Sequence, residues 1–286
     1  MSLFMIKRQL NASAGTYKDA SVLQREVADR LLERLDYMRV SPGVILEVGA
    51  ATGYVSQRLQ KRYPKAHIVP MDLAMERLAL HPKSWFKSGP SRLCADSESL
   101  PLRQGSVDLI FSNLSLAQLN DPHFSIQEWF RVLKPGGLLL YSTLGPDTLQ
   151  ELRKSFQAVD SYPHTHEFID MHHLGDLMLS IGWRDPVMDM ELVQFSYRAL
   201  ETLIKDLKDS GAANLNPVRL RGLMTSKKWK QMEAEYGQFQ RENGQFPATF
   251  EVIYGHAYKG EESALRKMNE DGEVVIPVSV LKRGVG

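Results

Sequence analysis

The chain has 286 residues and a hydrophobic fraction of 43%, which suits a folded protein with one large domain or a domain carrying an insertion. Its formal net charge of +1 gives no support for a nucleic acid or a membrane as a partner, because both attract strongly basic surfaces. The single cysteine, Cys94, excludes an internal disulfide framework and suits a reducing compartment, so we expect a cytoplasmic protein.

The first 39 residues predict an arm followed by a helix. In residues 1–18 a short apolar patch precedes the basic residues, which is the wrong order for a secretory signal, and we expect a flexible arm there. In residues 23–38 apolar residues recur at helical spacing and predict an amphipathic helix. No run in the chain approaches the roughly 20 apolar residues that a membrane helix needs.

From residue 40 onward, apolar strands alternate with amphipathic helices. The predicted strands are 44–48, 67–72, 91–96, 107–113, 137–144, 187–197 and 246–259. Such a pattern indicates an α/β fold with a mostly parallel sheet that is covered by helices on both faces. The polar, helical stretch 198–245 breaks the rhythm, so we interpret it as an insertion or lid within a core of 40–197 and 246–259. Residues 260–286 are a polar tail.

Acidic residues close three consecutive predicted strands, namely Glu47, Asp72 and Asp96. In open α/β sheets, ligands bind at the carboxyl ends of the strands. Asp72 lies near the spacing at which an acid meets the two hydroxyl groups of a ribose. The alternative is that strand-end acids only cap helices or face solvent.

The turn after the first strand reads Gly49-Ala50-Ala51-Thr52-Gly53, so Ala51 stands where a dinucleotide-binding turn has its middle glycine. A carboxylate at Glu47 would repel a pyrophosphate but would suit a cation. S-adenosylmethionine carries an ammonium, a ribose and an adenine, and it has no phosphate. We therefore predict this cofactor, with a nucleotide or no cofactor as the alternatives, and we expect the methyl group of Ala51 to be tolerated.

With these residues in place, the chain resembles the class I methyltransferases, which have a Rossmann-like seven-stranded sheet. The segments "LEVGAATGYV", "PMDLAMERL", "CADSESLPLRQGSVDLIFSNLSLAQL" and "VLKPGGLLLYSTLGPDTLQELR" carry this resemblance. The last two of these, together with "YKDASVLQREVADRLL", resemble one family more closely, the malonyl-acyl-carrier-protein O-methyltransferases of biotin biosynthesis. This resemblance continues through "SYPHTHEFIDMHHLGDLM", "LIKDLKDSGAANLN" and "FPATFEVIYGHAYK". A mitochondrial complex I assembly factor, associated with arginine hydroxylation, shares related segments. The usual first turn of the family is D-x-G-C-G-x-G, from which Glu47, Ala50 and Ala51 depart.

The resemblance implies a transfer of the S-adenosylmethionine methyl group to the free carboxylate of a malonyl thioester, without a general base. It implies that the helix of 23–38 covers the cofactor. The predicted cofactor-binding residues are Gln24, Glu47, Gly49, Ala50, Ala51, Gly53, Asp72, Leu73, Asp96, Ser97 and Asn113. Tyr17, Asn113 and Gln118 are predicted to face the transferring methyl group. The alternative roles are a packing contact of the arm for Tyr17 and a turn cap for Asn113.

The predicted insertion carries a local excess of basic residues. From 205 to 230 there are seven basic residues and two acids. Since acyl carrier proteins are strongly acidic, we predict that Lys205, Lys208, Arg219 and Arg221 dock a malonyl-loaded carrier protein. The alternative is a solvated helical surface.

The histidines in "HTH" (164–166) and "HH" (172–173) lack convincing acidic or cysteine partners in the sequence, so we expect packing roles for them and no metal site. Two further functions compete with methyl transfer to a malonyl carboxylate. One is a methyltransferase for another small-molecule or protein acceptor, including a relative of the assembly factor. The other is a binding module that has lost turnover, against which the three intact acids argue.

Overall fold

The computed structural model describes residues 2–82, 92–119, 121–220 and 222–260, together with the backbone of two short paired strands. These two strands are β8 (Lys267–Met268) and β9 (Val274–Val275), which are named here as the last elements of the chain.

The N-terminal segment is helical rather than a flexible arm. It forms α1 (Leu3–Ala12), α2 (Ala14–Ala20) and α3 (Val22–Glu33), and a 3-10 turn at Arg34–Tyr37 follows. Ile6 and Leu10 of α1 are buried against Ala74, which explains why the arm is ordered. The expectation of a flexible arm was wrong because this stabilising contact joins segments that are far apart in the chain.

The remaining elements follow the predicted alternation. In chain order they are β1 (Val44–Val48), α4 (Tyr54–Arg62), β2 (His67–Asp72), α5 (Met75–Ala79), β3 (Leu93–Cys94), β4 (Val107–Asn113), a 3-10 turn (Leu116–Gln118), α6 (His123–Val132), β5 (Leu133–Leu144), α7 (Gln150–Gln157), α8 (Met171–Ile181), β6 (Trp183–Tyr197), α9 (Leu200–Asp209), α10 (Ser226–Tyr236), a 3-10 turn (Gly237–Phe239) and β7 (Phe246–Lys259).

Seven of these strands form one sheet in the order β3-β2-β1-β4-β5-β7-β6. The pairs from β3 through β5 are parallel, and only β7 runs antiparallel to its neighbours β5 and β6. The helices α9 and α10 lie between β6 and β7 in the chain. The predicted fold class, a mostly parallel seven-stranded sheet with a helical insertion between the last two strands, is confirmed.

Three strands differ from the prediction in their bounds, and one of them, β6, begins at Trp183 rather than at residue 187. The third strand is shorter than 91–96: it covers Leu93–Cys94, and residue 91 lies outside the described residues. Asp96 is therefore in the loop after β3 rather than at its end, and it forms an isolated bridge with Ser99. The fifth strand begins at Leu133, before "PGG", because Val107 pairs with Leu133 ahead of a register shift.

The sheet separates two hydrophobic clusters. Alternate residues of one strand point to opposite faces, so Leu109 and Phe111 join one cluster and Ile110 joins the other. The first cluster includes the buried faces of α3, α4, α7, α9 and α10, and the second includes those of α6 and α8. Burial on both faces explains why the central strands are nearly continuous apolar runs.

The insertion packs onto the first cluster through fully buried side chains of both helices, Leu200 and Leu203 of α9 and Met232 and Tyr236 of α10. The Tyr236 hydroxyl donates to the Pro247 carbonyl at 2.7 Å, which ties α10 to the start of β7. Within the part of the chain that the structure describes, no helix is long and apolar enough to cross a membrane.

Candidate functional site

A cavity of about 610 Å³ lies at the carboxyl ends of the central strands, and a smaller pocket adjoins it. Of the residues predicted to act in the site, the cavity is lined by Tyr17, Gln24, Gly49, Ala51, Asp72, Leu73, Asp96, Ser97, Asn113, Gln118 and Lys208. The smaller pocket is lined by Glu47 and Ala50, and it shares Tyr17, Gln24, Gly49, Ala51 and Asn113 with the cavity. Gly53, Lys205 and Arg219 line neither space, and Arg221 lies outside the described residues.

The turn after β1 explains the glycines at its two ends. Gly49 has φ +76° and Gly53 has φ +87°, in the left-handed region that glycine adopts without steric cost. A Cβ on Gly49 would approach Ser115 Cβ to 2.9 Å, and a Cβ on Gly53 would approach the His81 ring to 2.8 Å. Both positions therefore serve the shape of the turn, and Gly53 contributes to the site without lining it.

Ala51 also adopts a left-handed conformation, with φ +46°, although it carries a Cβ. Its backbone N–H donates to Asp72 Oδ2 at 2.9 Å, and its carbonyl pairs with His81 Nε2 at 3.0 Å. Such a conformation costs an alanine about 1–2 kcal/mol. The methyl group is accommodated, as expected, but the backbone is strained in a way that the sequence did not reveal.

Glu47 is a buried carboxyl group whose pKa is strongly shifted. Its side chain is 3% exposed and accepts a hydrogen bond from Ser56 Oγ. Burial raises the pKa of Glu47 to about 8, because the hydrogen bond from Ser56 only partly offsets the loss of solvent and the nearby Asp72 carboxylate adds to the rise. A cation bound beside Glu47 would stabilise its ionised form and would lower this pKa.

Asp72 is held rigidly at the end of β2. Its two oxygens accept from Ala51 N at 2.9 Å and from Ala74 N at 2.8 Å. Burial raises the pKa of Asp72, while the Arg77 guanidinium and these backbone N–H groups work to lower it. Each carboxylate oxygen can accept more than one hydrogen bond. Asp72 is therefore placed to receive two hydroxyl groups of a ligand in the cavity.

Asp96 and Ser97 lie in the loop after β3 and line the cavity. Asp96 Oδ1 accepts from Glu98 N at 3.0 Å, which makes it the start of a tight turn. Ser97 Oγ is 2.7 Å from Ser125 Oγ of α6. Within the described part of the chain, no residue donates to the second oxygen of Asp96, so that oxygen is available to a donor on a ligand.

Asn113 uses both ends of its amide within the protein. Nδ2 donates to the Gln24 carbonyl at 2.8 Å, and Oδ1 accepts from Ser142 Oγ at 2.9 Å. These bonds hold α3 against the ends of β4 and β5. In contrast, Gln24 Oε1 is buried without a hydrogen-bond partner in the described structure, although Gln24 lines the cavity. A buried acceptor without a partner is costly, so Gln24 Oε1 is a candidate acceptor for a donor on a ligand.

Arg77 is a site residue that the sequence reasoning missed. Its side chain is 3% exposed, and it donates to the Leu10 carbonyl at 3.1 Å, to Ser13 Oγ at 2.7 Å and to the Ser210 carbonyl at 3.0 Å. These three partners belong to the N-terminal helices and to the end of α9. Arg77 thus joins the arm to the insertion at the wall of the cavity.

Two further contacts join the arm to the insertion. Gln9 Nε2 donates to the carbonyls of Gly211 and Ala213 at 2.8 and 3.0 Å, and Thr16 Oγ1 donates to the Asp209 carbonyl at 2.9 Å. The arm and the insertion therefore close the cavity together. The sequence analysis assigned a separate role to each segment and did not indicate this contact.

The part of the cavity formed by α7, the loop after it and the insertion is largely aromatic and apolar. Its lining includes Leu152, Phe156, Phe168, Phe195, Ile204, Leu207, Met224, Trp229 and Phe250. His164 and His166 also line it, although the sequence assigned them to packing. His164 stacks on Phe156 with the ring centroids 3.7 Å apart. Among the described residues, no group of three or more His, Cys, Asp or Glu side chains could hold a metal ion.

The basic residues of the insertion differ in their surroundings. Lys205 is paired with Asp209 on the same helix, and Lys228 is paired with Asp160 at 2.9 Å. Arg219 donates to the Asn216 carbonyl at 3.2 Å. Lys227 and Lys230 of α10 are exposed, and no acid is paired with either of them in the described structure. Lys227 and Lys230 therefore place exposed positive charge on α10, although neither residue was in the predicted docking set.

Comparisons with known proteins bear on this site. Residues 46–141 match the model of a family described as a methyltransferase domain. Over 97% of its length the chain is 43% identical to a Coxiella burnetii protein named malonyl-[acyl-carrier protein] O-methyltransferase 1, of which it covers 95%. Proteins of the same enzyme name from Laribacter hongkongensis and Legionella pneumophila are 40% and 39% identical, with 94% and 96% of both chains covered. The chain belongs to the malonyl-acyl-carrier-protein O-methyltransferase family.

Solved structures give the fold of the family but not its reaction. The YcgJ protein from Bacillus subtilis matches with a TM-score of 0.58 at 16% identity, covering 81% of this chain and 98% of that one. The [4+2]-cyclase SpnF matches with a TM-score of 0.52 at 18% identity, covering 83% of this chain and 82% of that one. The chain is thus a methyltransferase by family, and its acceptor must be argued from its own site.

Proposed function

We propose that this protein transfers a methyl group from S-adenosylmethionine to the free carboxylate of malonyl-acyl carrier protein, a step in early biotin synthesis. The observation that carries the proposal is the pair of buried carboxyl groups, Glu47 and Asp72, which line the two adjoining pockets that Gln24 also lines. The names of the relatives, which cover nearly the whole chain, supply the acceptor.

The polar groups of the cavity fit S-adenosylmethionine. Among the described residues no cation is paired with Glu47, and Glu47 and Gln24 Oε1 would receive its ammonium group. Asp72 would receive the two ribose hydroxyls, and the free oxygen of Asp96 would accept from the adenine amino group. When bound, the cofactor supplies an electrophilic methyl group on a sulfonium.

The residues of the chain have to orient the acceptor and exclude water. A malonyl carboxylate is ionised at neutral pH, so one of its oxygens can form the bond to the methyl carbon as the carbon–sulfur bond breaks, with the electron pair going to sulfur. No proton moves in this step, and no general base is required. Tyr17 and Gln118 line the cavity where the acceptor would lie, and Asn113 holds α3 in place. Orientation and desolvation are then the main contributions to the rate.

The acceptor would enter from the side of the insertion. The aromatic and aliphatic wall formed by α7, α9 and α10 suits the thioester arm that a carrier protein delivers. The basic residues on the same insertion would attract the acidic carrier protein and orient it. We include Lys205, Lys208, Arg219 and Arg221 in this docking surface, together with Lys227 and Lys230.

The test is intact-mass analysis of malonyl-acyl carrier protein after incubation with the protein and S-adenosylmethionine. Acetyl- and succinyl-carrier proteins serve as parallel substrates. We expect a gain of one methyl group on the malonyl form and none on the acetyl form, which lacks a free carboxylate. A sample that binds S-adenosylmethionine but leaves the malonyl form unchanged would contradict the proposal and would point to another acceptor.

A further inference from the structure

The cavity needs a positive charge to hold an anionic acceptor, and few groups can supply it. Four basic residues line the larger cavity within the described part of the chain: Arg77, His164, His166 and Lys208. The donors of Arg77 already serve Leu10, Ser13 and Ser210, on the cofactor side. Burial lowers the pKa of His166, which keeps its imidazole neutral. Lys208 is exposed on α9.

His164 differs from these residues because a carboxylate orients it. Its Nε2 is 2.8 Å from Asp160 Oδ1, and its side chain is only 11% exposed. The other oxygen of Asp160 accepts from Lys228 Nζ of α10 at 2.9 Å. One face of the His164 ring is covered by Phe156 at an interplanar angle of 4°. The ring is therefore fixed in position, as a binding group must be.

Asp160 is shared between two donors. Burial works to raise the pKa of Asp160, but the hydrogen bonds from Lys228 and His164 prevail and lower it to about 2, so Asp160 is an anion. Because Nε2 of His164 faces this anion, Nδ1 is the ring nitrogen left for a ligand, and it has no hydrogen-bond partner within the described residues. A ring held between Asp160 and a second carboxylate would donate from both of its nitrogens.

We propose that His164, oriented by Asp160 and Lys228, binds the carboxylate of the acceptor and selects an anionic acyl group over a neutral one of the same shape. This inference rests on the proposed function and names the residue that recognises the acceptor charge. Lys228 lies on α10, so the same contacts also link the insertion to the acceptor wall.

The test compares two unreactive ligands that differ only in charge. Thioether analogues of malonyl-pantetheine and of its terminal carboxamide are titrated calorimetrically into the protein saturated with S-adenosylhomocysteine. The variants are His164→Gln and Asp160→Asn. The matched control is His172→Gln, because His172 also pairs with an aspartate, at 2.9 Å from Asp170, but its side chain is 83% exposed. Binding of S-adenosylhomocysteine reports folding in each case.

We expect the unaltered protein and His172→Gln to bind the carboxylate analogue at least tenfold more tightly than the carboxamide. His164→Gln should reduce that ratio to near one, and Asp160→Asn, which keeps the ring, should reduce it partly. A ratio that is unchanged in both variants overturns the assignment of His164. Failure of the unaltered protein to methylate malonyl-acyl carrier protein would instead count against the proposed function, so the two failures can be told apart.

Discussion

The guanidinium carbon of Arg77 lies 4.2 Å from the centre of the Tyr17 ring. Tyr17 belongs to α2 and Arg77 to α5, so this contact sets the arm against the strand end that carries Asp72. Burial raises the pKa of Tyr17, with Arg77 acting in the opposite direction, and the phenol stays protonated. A neutral phenol beside a guanidinium is suited to fixing a ligand rather than to moving a proton.

The Arg77→Met variant should weaken cofactor binding and loosen the arm. It removes three hydrogen bonds to buried partners and the ring contact, and each buried acceptor left unpaired costs about 1–3 kcal/mol. We expect the dissociation constant for S-adenosylmethionine, measured by calorimetry, to rise at least tenfold. Proteolysis within residues 2–20 should become faster.

The matched control is Arg58→Met, which removes a guanidinium 3.4 Å from the Tyr54 ring on the exposed side of α4. This variant should leave the dissociation constant for S-adenosylmethionine and the rate of proteolysis nearly unchanged. Equal effects of the two variants would mean that the Arg77 contact has no special part in closing the cavity.

The Glu47→Gln variant should change how stability depends on pH. The folded state raises the pKa of Glu47 from 4.5 to about 8, so between these values unfolding releases a proton that the folded state retains. The stability of the unaltered protein therefore falls as pH rises through this window, and glutamine does not titrate. The variant's free energy of unfolding, relative to the unaltered protein, should rise between pH 5 and pH 8 by about a few kcal/mol.

Urea denaturation at several pH values without cofactor measures this difference. The same variant should bind S-adenosylmethionine more weakly, since it lacks the carboxylate that would receive the ammonium group. A difference in stability that is constant with pH would show that Glu47 is ionised in the folded protein.

The Ala51→Gly variant should stabilise the protein. Glycine adopts φ +46° without the clash that a Cβ causes, which stabilises the folded state by about 1–2 kcal/mol. The greater freedom of glycine in the unfolded chain offsets about 0.5–1 kcal/mol of this gain. We expect a net gain of about 0.5–1 kcal/mol in urea denaturation. Ala50→Gly is the control, because Ala50 has no positive φ and should lose stability. A loss in both variants would mean that the strain at Ala51 is negligible.

Reversing the charge of α10 should weaken carrier-protein docking. In the variant Lys227→Glu with Lys230→Glu, the Michaelis constant for malonyl-acyl carrier protein should rise about tenfold at low ionic strength, and the effect should shrink as salt screens the charges. Methylation of a small malonyl thioester should stay the same. Lys61→Glu with Lys65→Glu, on and just after α4, is the control for net charge. An equal loss with both acceptors would show that α10 is not a docking surface.

The sequence predicted the core well where one local pattern sufficed. The bounds of β1, β2, β4 and β7 agree with the apolar runs, because strands buried on both faces carry their own signal. The places of Glu47 and Asp72 beside the two pockets could be predicted from their positions at strand ends. Arg77 could not, since its hydrogen-bond partners are 64, 67 and 133 residues away in the chain. The position of His164 in the cavity could not be predicted either, because it depends on how the loop after α7 places this ring against Phe156.

The contacts of Gln9, Thr16 and Arg77 between the arm and the end of α9 have a kinetic consequence. The arm and the insertion are joined to each other and both line the cavity, so under the proposed function a carrier protein docked on the insertion would also hold the arm in place. Spent cofactor would then leave only after the methylated carrier had departed. Turnover would be compulsorily ordered, and excess carrier protein would slow it because the spent cofactor could not leave the cavity.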